Sequence, residues 1–256
     1  MAKILSIANQ KGGVGKTTTS VNLAASLSRY KKKVLLIDLD PQGNATAGSG
    51  VNKQNCRFTN YHLLTERVNI EQVIVESSHC NYKLLPANGD LIAAEVALMH
   101  EREREKKLGR HLEEVKGKFD YILIDCPPSL NMLTVNALVA SDSVLIPMQC
   151  EYYALEGLSA LSNTILNISK QINPKLRIEG ILRTMYDPRS SLTNAVSAQL
   201  RKYFGDKIYR VSIPRNVRLA EAPSHGMPAL AYDKSSKGAI AYLALASEIL
   251  KQAKCE

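Results

Sequence analysis

Short, nearly uninterrupted apolar runs recur along the chain, each followed by a longer stretch in which apolar positions return every three or four residues. KILSIA (3–8), KVLLID (33–38), YILIDC (121–126) and SVLIPM (143–148) lack the alternation of a half-exposed strand. Runs of that kind fit strands buried on both faces, as in a parallel sheet covered by helices. RIEGILRTM (177–185) is a further strand candidate. The spacing predicts a helix running to about Ser28, and others over 90–106, 130–139, 153–171, 191–204 and 237–253. Within the first of these, HEREREKK (100–107) is mixed in sign and reads as a solvated helix face. Strands alternating with helices predict an α/β fold, a doubly wound and mostly parallel sheet with helices on both faces. No repeat, low-complexity run or proline-rich linker interrupts the order, so residues 1–256 read as a single domain.

Composition narrows the setting. With 45% hydrophobic residues the chain can bury a substantial core without staples. The five cysteines (Cys56, Cys80, Cys126, Cys150, Cys255) are scattered and never form a C-x-x-C pair. That argues against a disulfide framework or a zinc site and suits a reducing cytoplasm. His62, His79, His100, His111 and His225 show no metal spacing and read as surface or loop residues. The opening apolar run is too short for a signal peptide. No stretch approaches the ~20 apolar residues of a membrane span. The net charge is +9, and Lys170–Arg218 holds 11 Lys or Arg against three acids. So concentrated an excess suggests a polyanionic partner, although a solvated face has the same composition.

The candidate chemistry begins at NQKGGVGKTT (9–18). Gln10 stands where the strict phosphate-loop pattern needs its first glycine, yet Gly12, Gly13, Val14, Gly15, Lys16, Thr17 and Thr18 follow a strand and open a helix. Glycines there let backbone N–H groups close around phosphate oxygens, and the helix N-terminus favours their charge. Lys16 is placed for the β- and γ-phosphates and the Thr17 hydroxyl for Mg²⁺. ILIDCPPS ends a strand on Asp125, placed for the same Mg²⁺ through water, and LLIDLDPQGNAT ends another on Asp38 and Asp40. Open α/β sheets bind ligands outside the carboxyl ends of their strands, where these segments converge.

KGGVGKTT, with Lys11 five residues before Lys16, resembles the deviant Walker A loop of the ParA/MinD superfamily. DLDPQGNAT, DCPPSL and IPRNVRLAEAPSHGMP resemble its ParA/Soj partitioning branch, and the likeness spans residues 3–250. The resemblance implies an ATPase that uses ATP and Mg²⁺. It implies that Lys11 reaches the partner subunit's phosphates in an ATP-bound sandwich homodimer, in the manner of an arginine finger. It assigns Asp40 to positioning the attacking water and Asp38 to the magnesium surroundings. Adenine contacts are expected from Thr184 and Met185 and from Pro214, Arg215 and Asn216. Slow intrinsic hydrolysis is expected, accelerated by a ParB-like centromere-binding partner.

The same resemblance assigns Arg189 and Arg218 to non-specific binding of double-stranded nucleoid DNA; Arg183, Arg201, Lys202, Lys207, Arg210 and Arg215 are candidate supporting charges, some of them expected to pair internally. No helix carries a base-reading pattern. The glycine loop begins too early in this sequence for a preceding helix-turn-helix. The expected location is the cytoplasm, on the nucleoid. A MinD-like membrane ATPase is the alternative, but GAIAYLALASEILKQAKCE (238–256) reads as a core helix rather than a basic amphipathic one. An iron–sulfur carrier of nitrogenase-reductase type needs cysteines in ligand loops, whereas Cys126 and Cys150 read as small buried apolar residues. A DNA-coating protein that uses ATP only as structural glue is disfavoured by the intact Asp40 and Asp125.

Overall fold

The computed structural model describes residues 2–66 and 68–253, so Cys255 lies outside the described residues. The chain begins β1 (Lys3–Ile7), α1 (Lys16–Arg29), β2 (Val34–Asp38), α2 (Asn44–Gly48), α3 (Asn60–Thr65), α4 (Ile70–Val73), β3 (Val75–Glu76) and β4 (Lys83–Leu85). It continues through α5 (Leu91–Met99), α6 (Lys107–Val115), β5 (Tyr121–Asp125), α7 (Met132–Ala140), β6 (Ser143–Gln149) and α8 (Ala154–Gln171). The last part holds β7 (Arg177–Tyr186), α9 (Ser191–Phe204), β8 (Ile208–Pro214), α10 (Val217–Glu221), α11 (Ala229–Tyr232) and α12 (Lys237–Gln252). One eight-stranded sheet results, in the order β3-β4-β2-β5-β1-β6-β7-β8, parallel throughout except for the short β3–β4 pair.

The apolar runs form the central strands because both of their faces are covered. Leu35, Ile37, Ile122 and Ile124 pack into the core shared with α3, α5, α6, α7 and α8. Their neighbours Val34, Leu36, Tyr121 and Leu123 enter the opposite core with α1 and α12. Small residues let α1 lie close: Ala24 and Ala25 are buried, and α12 packs beside α1 and against β8 through Tyr242, Leu245 and Ile249. The closing helix is thus a core element, as its composition indicated. Among the described residues no helix is long and apolar enough to cross a membrane.

Two expectations need correction. The helix expected over 90–106 stops at Met99, and HEREREKK is a turn and a 3-10 segment leading into α6. Arg104 there donates through Nη1 to the Met99 carbonyl at 2.7 Å, and Glu103 pairs with Lys106 and Arg110 across the turn. His62 and His111 are likewise not loop residues. His62 closes the N-terminus of α3, its Nδ1 accepting from the Thr59 amide at 3.1 Å, and His111 lies half-buried on α6.

Parallel register sets the strand ends side by side. Asp125 of β5 is level with Ile7 of β1 and with Asp38 of β2. Neighbouring strands lie about 4.8 Å apart, so the glycine loop and both aspartates share one edge of the sheet.

Candidate functional site

The glycine loop is pinned before it reaches α1. Asn9 Nδ2 donates to the Pro147 carbonyl at 2.8 Å while Asn9 Oδ1 accepts from the Lys11 amide at 3.0 Å, tying the loop entry to β6. On the far side, Thr184 Oγ1 donates to the Val14 carbonyl at 2.8 Å and ties the loop to β7. Gly13 and Gly15 have φ of 73° and 86°, a backbone region that a side chain disfavours, and Gly15 is the N-cap of α1. The side chain of Lys16 is buried and curls back so that Nζ donates to the Lys11 carbonyl at 3.0 Å. Burial lowers its pKa, against the opposing pull of Asp125, Cys126 and Asp40.

The carboxylates divide into two settings. Asp125 is fully buried and receives Thr17 Oγ1 on one oxygen and Ser20 Oγ on the other, both at 2.8 Å. Asp38 is fully buried too, but its oxygens are occupied by the backbone: Oδ2 accepts from the amide and hydroxyl of Thr46, each at 2.7 Å, and Oδ1 from the Asp40 amide at 3.1 Å. Burial and the adjacent carboxylate push both groups above the usual carboxylate range. Two buried acids side by side with a threonine hydroxyl form a site that a divalent cation relieves. Thr17 and Asp125 fit a magnesium site of hydroxyl and outer-sphere carboxylate, whereas Asp38 chiefly anchors the segment 40–46. Asp40, at the start of that segment, is only half-buried, and its Oδ1 accepts from the Gln42 amide at 2.9 Å.

Beside the loop lies a cavity of about 440 Å³ lined by Gly13, Gly15, Thr18, Met185, Pro214 and Asn216, with Thr184 and Arg215 also on its wall. Every residue expected to touch adenine is therefore at this cavity. Met185 has φ of 47°, rare for a residue with a side chain and costing on the order of 1–3 kcal/mol. Asn216 Oδ1 is buried without a hydrogen-bond partner among the described residues and lies against Gly238 at the start of α12. Largely apolar walls with the Asn216 carboxamide among them suit a purine base.

Lys11 does not join this cradle. Its Nζ pairs with Glu151 after β6, and both side chains remain partly exposed, with the exposed Tyr152 (74%) and Tyr153 (72%) following Glu151 in the chain. Of the basic segment, Arg189 stands 89% exposed and pairs with Asp187 at 2.9 Å, and Arg218 pairs with Glu221 at 2.7 Å and Asp233 at 3.4 Å. Arg183 cannot be a surface charge. It is buried, donating to Ser197 Oγ and to the Tyr209 and Arg210 carbonyls, each at 3.1 Å, and clamps α9 and β8 to β7. Cys126 and Cys150 are buried, and burial raises both thiols.

Sequence reasoning overlooked Asn9, Ser20, Thr46 and Glu151. Ser20 had a signal, standing one helical turn after Lys16 on the same face of α1; its hydroxyl also touches the Lys16 carbonyl at 3.0 Å. Asn9 and Thr46 stand inside the quoted motifs, with local contacts to Lys11 and Asp38 as well as distant ones to Pro147 and Ala87, whereas Glu151 left no signal.

The AAA domain family profile matches residues 2–178. The sporulation initiation inhibitor protein Soj of Bacillus subtilis is 53% identical over 97% of this chain and 98% of its own. The chromosome partitioning protein ParA of Myxococcus xanthus is 48% identical over 98% of this chain and 89% of its own. In structure, cobyrinic acid a,c-diamide synthase of Mycobacterium smegmatis with bound ADP and magnesium superposes with a TM-score of 0.87, at 36% identity, covering 99% of this chain and 96% of that one. With the glycine loop, the aspartate-tipped strands and the partitioning motifs assembled at one sheet edge, the chain belongs to the ParA/Soj family of chromosome-partitioning ATPases.

Proposed function

We propose that the protein is an ATP-gated DNA-partitioning switch: ATP and Mg²⁺ join two subunits, the dimer binds duplex DNA without sequence preference, and hydrolysis releases it. The observation that carries the reading is the division of labour between two lysines. Lys16 is buried in its own loop, while Lys11 lies outside it, paired with Glu151 next to the exposed Tyr152. A cation so placed serves a phosphate group presented by a second subunit, and Tyr152, Tyr153 and the 42%-exposed Leu130 supply apolar surface for that subunit to cover.

Magnesium, when bound, offsets the charge on the β- and γ-phosphates. Thr17 and Asp125 would hold it, Ser20 orients Asp125, and the glycine-loop amides with Lys16 would fix the triphosphate. Asp40 orients a water for attack and acts by positioning, with the proton leaving late. Positioning without strong proton abstraction accounts for slow intrinsic turnover, on which a ParB-like partner acts. Arg189 and Arg218 exchange their intramolecular carboxylates for DNA phosphates, each through a planar two-point fork. Because each subunit offers a weak patch, joining two raises affinity by avidity and makes DNA binding follow the nucleotide.

Sedimentation of wild type and Lys11→Ala with ATP or ADP tests the arrangement. Wild type shifts to a dimer with ATP alone and Lys11→Ala stays monomeric while still binding ATP; an ATP-dependent Lys11→Ala dimer of wild-type affinity would remove Lys11 from the interface.

A further inference from the structure

At the opposite end of the sheet, where the parallel strands begin, two adjoining cavities meet at Asn81. The first, about 450 Å³, lies between the starts of β2 and β4, with Lys33, Lys83 and Lys118 on its wall and Val34, Ile74 and Phe119 among its apolar lining. The second, about 430 Å³, continues past the end of α1 with Arg29, Lys31 and Lys234 around Leu230. Six cations thus border the pair against one carboxylate, Glu71, which is engaged by Lys118. Arg29, Lys31, Lys33, Lys83 and Lys234 form no ion pair with a carboxylate among the described residues, Lys83 standing opposite Glu76 across β3–β4, whereas Arg189 and Arg218 are both ion-paired, Arg218 with Asp233 beside Lys234. Asp120, the nearest acid in sequence to the first cavity, gives Oδ2 to the Lys33 amide at 2.7 Å.

We propose that these joined cavities are a docking site for an acidic segment of a partner protein, distinct from the nucleotide edge. Unpaired lysines around an apolar floor match a peptide that carries carboxylates on either side of an apolar side chain. A duplex fits less well. It is a stiff convex rod whose phosphates have no use for an apolar floor, and lysines that served it would project from a ridge rather than rim a hollow. The inference does not depend on the ATP-gated switch, because no residue of the site touches the glycine loop.

Fluorescence anisotropy tests it, with a fluorescein-labelled peptide of repeating Glu-Glu-Phe and its Gln-Gln-Phe counterpart. Wild type binds the glutamate peptide and not the glutamine one. Lys33→Glu with Lys83→Glu weakens that binding by roughly tenfold or more, whereas Lys202→Glu with Lys207→Glu, an equal charge change elsewhere, leaves it within about twofold. Unchanged ATP binding and thermal midpoint show that the fold survives, and Lys33→Gln with Lys83→Gln replaces the reversal if it does not fold. Three results overturn the proposal: no binding by wild type, equal loss in both double variants, or loss of DNA retention in the Lys33/Lys83 variant, which would make the surface a nucleic-acid face.

Discussion

Replacing Thr46 by valine removes a hydroxyl that serves two buried groups and leaves the side-chain volume almost unchanged. Thr46 Oγ1 donates to Asp38 Oδ2 at 2.7 Å and accepts from the Ala87 amide at 2.9 Å, all without exposure to water. Losing a hydrogen bond to a charged acceptor costs about 1.5–3 kcal/mol, and stranding a buried amide adds about 1–3 kcal/mol. Thr46→Val is therefore expected to lower stability by roughly 3–5 kcal/mol. Thr46→Ser keeps the hydroxyl and loses one buried methyl, for about 1 kcal/mol. Urea unfolding of the metal-free protein reads both as midpoint shifts at constant slope. The substitution also reaches the chemistry, since the same carboxylate holds the Asp40 amide at 3.1 Å. ATP hydrolysis should fall more than ATP affinity, because Lys16 and Thr17 are untouched. If the valine variant matches the serine variant in stability, the Thr46 hydroxyl does not hold this corner together and the argument fails.

Asn216 supplies the one carboxamide on the wall of the base cavity, so Asn216→Leu should reduce the preference for ATP over GTP by roughly ten- to a hundredfold; competition binding with both nucleotides measures it, and an unaltered preference would place base discrimination elsewhere. His111 is half-buried, and burial depresses its pKa against a weaker opposing effect of Glu114. A depressed histidine contributes stability that is present above its ordinary value of about 6.5 and lost as pH falls through its folded value. Unfolding midpoints of wild type should therefore drop as pH falls from neutrality through the range below about 6.5, more steeply than those of His111→Gln, and parallel curves would assign the loss to other groups.

Much of the site was legible because its chemistry is local in sequence. The glycine loop, Lys16 and Thr17 lie within a few residues, and Asp38 and Asp125 each terminate a recognisable apolar run. The central strands were legible because burial on both faces leaves few polar positions in them, chiefly at their ends, with Ser6 of β1 the interior exception. β3, β4 and β8 were not, being short or, in the case of IYRVSIP (208–214), carrying Arg210 and Ser212 at a sheet edge where only one face is sealed. Roles that depend on another segment's backbone stayed hidden as well. Asp38 looks like any strand-end acid until the chain brings Thr46 and Ala87 around it, and Arg183 looks like one more surface cation until β8 closes over it.

Retention on non-specific duplex DNA, measured with ATP, ADP or no nucleotide for wild type, Asp40→Ala and Arg189→Glu with Arg218→Glu, tests the ATP-gated switch most directly. The account predicts retention with ATP alone, prolonged in Asp40→Ala, absent in the double arginine variant, and falling about 10³–10⁵-fold between roughly 50 and 200 mM salt for ~6–10 neutralised phosphates. Retention that ignores the nucleotide, or that survives loss of both arginines, would contradict it.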